Sequence, residues 1–169
     1  IGSGYGTFIK EIYNIYPKCN ITSFEPSSTR INKGIKINRI DTNKINIINK
    51  YLDNSFVVDN LNKYDIITLW HVLEHIDEKN IDNLLQNLLK LKKPDGVIII
   101  EVPNGNDELF KIDKYKNINY MIHHISYFTE DTLRLLLKNN NIFDFEIDFV
   151  QRYGFKNYLN WIYNLGYDY

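Results

Sequence analysis

The opening Ile1-Gly2-Ser3-Gly4-Tyr5-Gly6 constrains this chain more than any other stretch. Its three alternating glycines run straight into a helical pattern, Thr7 to Tyr16, with Phe8, Ile9, Ile12, Ile15 and Tyr16 at helical spacing and Pro17 as the stop. A strand that turns sharply into a helix needs residues that tolerate positive φ, and a ligand pressed against the turn needs missing side chains. The helix start behind such a turn offers free N–H groups to a polar ligand. Ile1 reads as the last residue of a strand whose earlier part lies outside this sequence, so a fragment lacking most of its first strand is expected. A glycine-rich first βα turn is where doubly wound α/β domains seat nucleotide-like cofactors.

The chain beyond the turn keeps the same alternation. Ile21 to Glu25 reads as a strand ending in an acid and Pro26, and Ser27 to Gly34 as a short helix. Ile45, Ile47 and Ile48 suggest a third strand, and Tyr64 to Trp70 a buried one. Asp77 then caps an amphipathic helix with Ile81, Leu84, Leu85, Leu88 and Leu89 on one face. Pro94-Asp95-Gly96 marks a turn, and Val97 to Val102 another buried strand. Residues 104–123 read as a long polar connection that could act as a lid. Thr129 caps a helix carrying Leu133, Leu136 and Leu137, and Ile142 to Val150 alternates as a strand. Strand following helix throughout predicts an α/β, Rossmann-like, doubly wound and mostly parallel sheet with helices on both faces, as one domain over residues 1–169.

Length and charge narrow the function. At 169 residues the chain can bury a real core. Its 20 basic and 21 acidic residues nearly cancel, so no general attraction to nucleic acid or an anionic membrane is expected. The local basic excess from Arg30 to Lys50 reads first as a solvated surface, with acidic-ligand binding as the lesser option. Cys19 is the single cysteine, which rules out an intrachain disulfide and fits a reducing cytoplasm. No apolar run is long enough to span a bilayer.

Two stretches carry chemistry. Glu25 lies 19 residues beyond Gly6, the spacing at which an acid on the second strand tip accepts hydrogen bonds from ribose hydroxyls. Dinucleotide domains tend to show G-x-G-x-x-G, whereas this turn is G-x-G-x-G. His71-Val72-Leu73-Glu74-His75 matches H-x-x-E-H, a zinc-peptidase pattern. That chemistry needs both histidines on one face of an established helix, and here the first histidine comes straight off a strand.

In context, the glycine turn, "DIITLWHVLEHI", "LLKLKKPDGVIIIEVPN" and "HHISYFTEDTLRLLLKNNNI", in that order, resemble the class I S-adenosylmethionine (SAM) methyltransferases. "QRYGFKNYLNWI" is similar to tails of methyltransferases in polysaccharide and small-molecule biosynthesis. The resemblance implies SAM as cofactor, with Gly2, Ser3, Gly4 and Gly6 around its methionine part, Glu25 on the ribose, and Trp70, His71 and Val72 lining it. It implies transfer of a methyl group to a hydroxyl of a glycan or small molecule, with no nucleic acid partner and no membrane insertion. The acid that family members carry just before the glycine turn lies outside this sequence, and no antiparallel last strand is evident after Val150.

A hydroxyl acceptor calls for a base, and histidine is the natural one near neutral pH. The histidines fall in two clusters, His71/His75 and His123/His124, and His75 and His124 are the candidate bases. Some O-methyltransferases with a similar segment hold a divalent ion on E-x-x-E-H plus a later histidine. His71, Glu74, His75 and His124 stand in the matching places, a nitrogen-rich set better suited to Zn²⁺ than to Mg²⁺. A metal is nevertheless not expected. The aromatic tail with Tyr153, Phe155, Tyr158, Trp161 and Tyr163 reads as core or subunit interface before acceptor pocket. The rival readings are a non-catalytic binding or assembly module and an NAD(P)-dependent oxidoreductase.

Overall fold

The computed structural model describes residues 1–120, 124–151 and 153–163. The chain divides into two compact units, one of residues 1–73 and 78–102, the other of residues 74–77 and 103–169.

The first unit alternates strand and helix. Behind the glycine turn runs α1 (Thr7–Ile15), then β1 (Ile21–Phe24), α2 (Ser28–Lys36), β2 (Ile45–Ile48) and α3 (Asn54–Val58). β3 (Tyr64–Trp70), α4 (Glu78–Leu91) and β4 (Lys92–Glu101) complete it. The Ser27 hydroxyl caps α2 and the Asp53 carboxylate caps α3, so both helices start where a side-chain acceptor meets free N–H groups.

β1 pairs with β2 and β3 with β4, both in parallel. The start of the chain joins the two pairs. The Ile1 nitrogen donates to Thr68 O at 2.8 Å, and Gly2 N donates to Phe24 O at 2.7 Å. Ile1 and Gly2 thereby tie the start of the chain to β3 and to β1, which puts the glycine turn at the C-terminal edge of the strands.

Of the expected α4 stripe, Ile81, Leu85 and Leu88 are buried and Leu84 and Leu89 half-buried, and Leu91 joins them in the core. The helix packs against β4 and, through Asn87 Nδ2 donating to Asn54 Oδ1 at 2.8 Å, is tied to α3. On β3, Ile67 and Leu69 are buried, whereas Ile66 on the opposite face is 62 % exposed. Val97 and Ile99 of β4 are exposed as well, while Ile98 and Ile100 are half-buried, so these strands are covered on one face rather than two. At the end of the open face the Phe8 ring of α1 and the Trp70 ring lie 4.8 Å apart. The expected turn at Pro94-Asp95-Gly96 is absorbed into β4 as an irregularity, between the Tyr64–Lys92 and Ile66–Val97 pairs.

The second unit is built from α5 (Asp113–Asn119), α6 (Glu130–Asn139), α7 (Phe155–Tyr163) and a 3₁₀ turn at Glu108–Lys111. Its core is Leu109, Tyr115 and Trp161, with the Tyr115 hydroxyl donating to Asp107 Oδ2 at 2.9 Å. Part of the supposed polar connection therefore folds into helices and contributes core. Trp161 is core too, while Phe155 and Tyr163 of the same tail stay exposed. Thr129 caps α6 through a reciprocal box with Thr132, as expected.

The strand expected at Ile142 to Val150 does not form. Phe143, Phe149 and Val150 are exposed, and among the described residues no strand pairs with this segment. Alternation makes a strand only where a neighbour completes the ladder. Among the described residues no helix is long and apolar enough to cross a membrane.

Candidate active site

The glycine turn is left-handed at each glycine, with φ of 69° at Gly2, 56° at Gly4 and 79° at Gly6. Two of them serve different ends. A Cβ on Gly2 would stand 2.4 Å from Val72 Cγ2, so this glycine lets the segment after β3 close onto the turn. A Cβ on Gly4 would meet nothing within 4 Å, so this position faces open space.

Glu25 braces the backbone of the turn. It is 1 % exposed, accepts from Gly4 N at 2.7 Å through Oε2 and from Ser27 N at 2.9 Å through Oε1. An ionised carboxylate has about four lone-pair sites, so one remains on each oxygen for a hydroxyl donor. The acid thus braces the turn to the start of α2 while keeping acceptor capacity. Two further polar atoms at the site, Ser3 Oγ and Trp70 Nε1, are buried without a partner among the described residues. Buried polar groups are normally satisfied, which makes these two a sign of a ligand.

His71 leaves β3 with φ of 52°, a strained setting for a residue with a side chain. Its N–H donates to Glu101 O at 3.0 Å, and its Nε2 lies 2.9 Å from Glu101 Oε1. Sequence reading missed Glu101. Its place at the tip of β4 pairs it with His71 only once β3 and β4 lie side by side.

The second unit holds the other candidates. Glu74 is fully buried, and its carbonyl accepts from Ile125 N at 2.8 Å and Ser126 N at 3.1 Å. That pairing brings His124 to His75, with ring centroids 4.8 Å apart. Glu74, His75 and His124 each offer one ligand atom, all within 4.8 Å of one another. His123 lies outside the described residues. Glu74 and His75 sit in a 3₁₀ turn, Leu73–His75, and no helix carries His71 with His75, so the zinc-peptidase geometry is not formed.

The sequence over residues 1–144 matches a methyltransferase domain family. The chain belongs to that family. No curated protein matches it. Among solved structures, a SAM-dependent methyltransferase from Archaeoglobus fulgidus superposes with a TM-score of 0.70 at 20% identity, covering 92% of this chain and 65% of that one. The plantazolicin methyltransferase BpumL, in complex with a pentazolic desmethylPZN analog and S-adenosylhomocysteine (SAH), gives 0.63 at 22% identity over 82% of this chain and 52% of its own. The methyltransferase domain of bacterial CtHen1 gives 0.58 at 20% identity, over 83% and 74%. These likenesses establish the α/β methyltransferase fold. The chain spans between half and two thirds of the length of the first two structures. The family match takes in the glycine turn, Glu25, the β3 tip and His124, and ends before α7.

Proposed function

We propose that this chain is a SAM-dependent methyltransferase acting on a hydroxyl of a glycan or small molecule, as a single domain over residues 1–169. The observation that carries the cofactor is the open position at Gly4, in a turn whose backbone the Glu25 carboxylate holds. The partnerless Ser3 Oγ and Trp70 Nε1 fit the same group, since an amino acid and a nucleoside offer polar atoms to both. Bound SAM would supply an activated methyl group for in-line displacement. Gly2, Ser3, Gly4 and Gly6 would hold its methionine part, Glu25 its ribose, and Trp70, His71 and Val72 its flank at the sheet's C-terminal edge.

For a hydroxyl acceptor, His75 or His124 would take the proton, and the chain's other task is alignment. The lone Cys19 supports a reducing, cytoplasmic setting. A second reading rests on the Glu74, His75 and His124 group, whose two nitrogens and one carboxylate suit a transition metal that would orient the acceptor oxygen.

A thermal melt tests both. SAH should raise the melting temperature, and Glu25→Ala should remove most of that rise. A ligand at 100 times its Kd adds about 2.7 kcal/mol, a readily seen shift. A rise with NADH instead would overturn the cofactor assignment. A rise with Zn²⁺ that His124→Ala abolishes would establish the metal reading.

A further inference from the structure

We propose that the first unit carries a second ligand site, a groove that binds the phosphate groups of a small phosphorylated molecule. The basic stretch from Arg30 to Lys50 has no part in the methyltransferase reading, yet its loop is built with care. Arg39 N and Ile40 N both donate to Gly34 O, at 2.9 and 3.3 Å. Ile40 is 3 % exposed, packed where side chains on Gly6 and Gly34 would otherwise stand. Lys44 N and Ile45 N both donate to Asp41 O at 3.0 Å, and Asn43 N donates to Asp41 Oδ1 at 3.0 Å.

This fixed loop faces α1 across a groove of about 170 Å³, bordered by Lys10 and Tyr13 on the helix and by Asn38, Arg39, Asp41 and Lys44 on the loop. The Arg39 guanidinium is held in place by Nη1 donating to Thr7 Oγ1 at 2.8 Å, which leaves most of its five donors for a ligand. Thr7 and Lys10 lie three residues apart, on one face of α1.

The charges do not cancel. Lys44 is answered by Asp41 at 3.3 Å and lies over the Tyr13 ring. Lys10 and Arg39 face no carboxylate at ion-pair distance among the described residues. Two uncompensated cations thus share one preorganised groove in a chain whose net charge is −1. A guanidinium fork beside an ammonium matches a phosphate or diphosphate group in charge and in hydrogen bonding. The ordered loop spares the cost of organising the site on binding.

Calorimetric titration of the full chain with inorganic pyrophosphate tests this, with and without SAH, so that failure of the methyltransferase reading leaves the result intact. Pyrophosphate should bind, and the double variant K10Q/R39Q should weaken it on the order of tenfold or more. Arg39→Lys should weaken it less, and the control K90Q/K138Q, which removes equal charge elsewhere, should leave it unchanged. Circular dichroism of each variant checks that it is folded, and Lys44→Gln serves if the double variant is not. Absence of pyrophosphate binding, or equal loss in the control, would overturn the site. Binding of oligothymidylate in place of pyrophosphate would also overturn it, reassigning the groove to a phosphodiester backbone.

Discussion

Gly2 and Gly4 share a left-handed backbone but differ in what a side chain would meet. Alanine at either should cost about 1–2 kcal/mol for the conformation alone. Gly2→Ala adds a collision with Val72, so it should lower the melting temperature more than Gly4→Ala does. For SAH the difference should be of another kind. Gly4→Ala should stay folded yet lose the SAH-induced rise, because its methyl would occupy the open space at that position. A Gly4→Ala protein that binds SAH normally would place the cofactor elsewhere. Glu25 could be counted out from the glycines because a βαβ unit has a nearly fixed length. Glu101 could not, since no such spacing ties the tip of β4 to the turn, and its partner His71 is found only when the two strands are set side by side.

At the scale of elements, α4 was the most readable part, because its period, its burial and its length agree. Leu88 is fully buried, and Leu88→Ala should cost about 2–5 kcal/mol by chemical denaturation. Leu135 on α6 is 59 % exposed, and Leu135→Ala should fall within about 0.5 kcal/mol of the parent. The strands were less legible because pairing is not local. Pro94-Asp95-Gly96 has the chemistry of a turn, yet the parallel register carries it inside β4. Residues 142–150 have the alternation of a strand and no ladder to join. Across β3 and β4, Lys93 Nζ donates to Asp65 Oδ1 at 2.6 Å and holds that carboxyl below its usual range. With the folded pKa depressed, the contribution is present above the unfolded value and fades as pH falls through the folded one. The melting-temperature gap between parent and Asp65→Asn should therefore be constant near neutrality and close as pH drops below about 4. Both groups are solvent-exposed, so the gap should also shrink with added salt. A gap that widened in acid would refute the pairing.

For the whole molecule, the alternation of strand and helix gave the α/β class, but it gave no sign of two units. Composition does not shift at Val102-Pro103, and the second core joins Leu109 and Tyr115 to Trp161 across a long stretch of sequence. Such a core is assembled from aromatics whose partners cannot be counted along the chain. The division bears on how a ligand should be felt. The glycine turn, Glu25 and the end of β3 all lie in the first unit. Ligand binding stabilises what it contacts, and amides open locally with their own free energies. Hydrogen exchange with SAH should accordingly slow the amides of residues 2–7, 24–25, 27–28 and 68–73. The amide of Gly4 should slow most, since its N–H donates to the carboxylate that would receive the ribose. Residues 107–117 and 155–163, which build the separate core, should exchange at nearly the same rate with and without SAH. Slowing at 107–117 with none at the glycine turn would move the cofactor out of the first unit, and the assignment of Gly4 and Glu25 would fall with it.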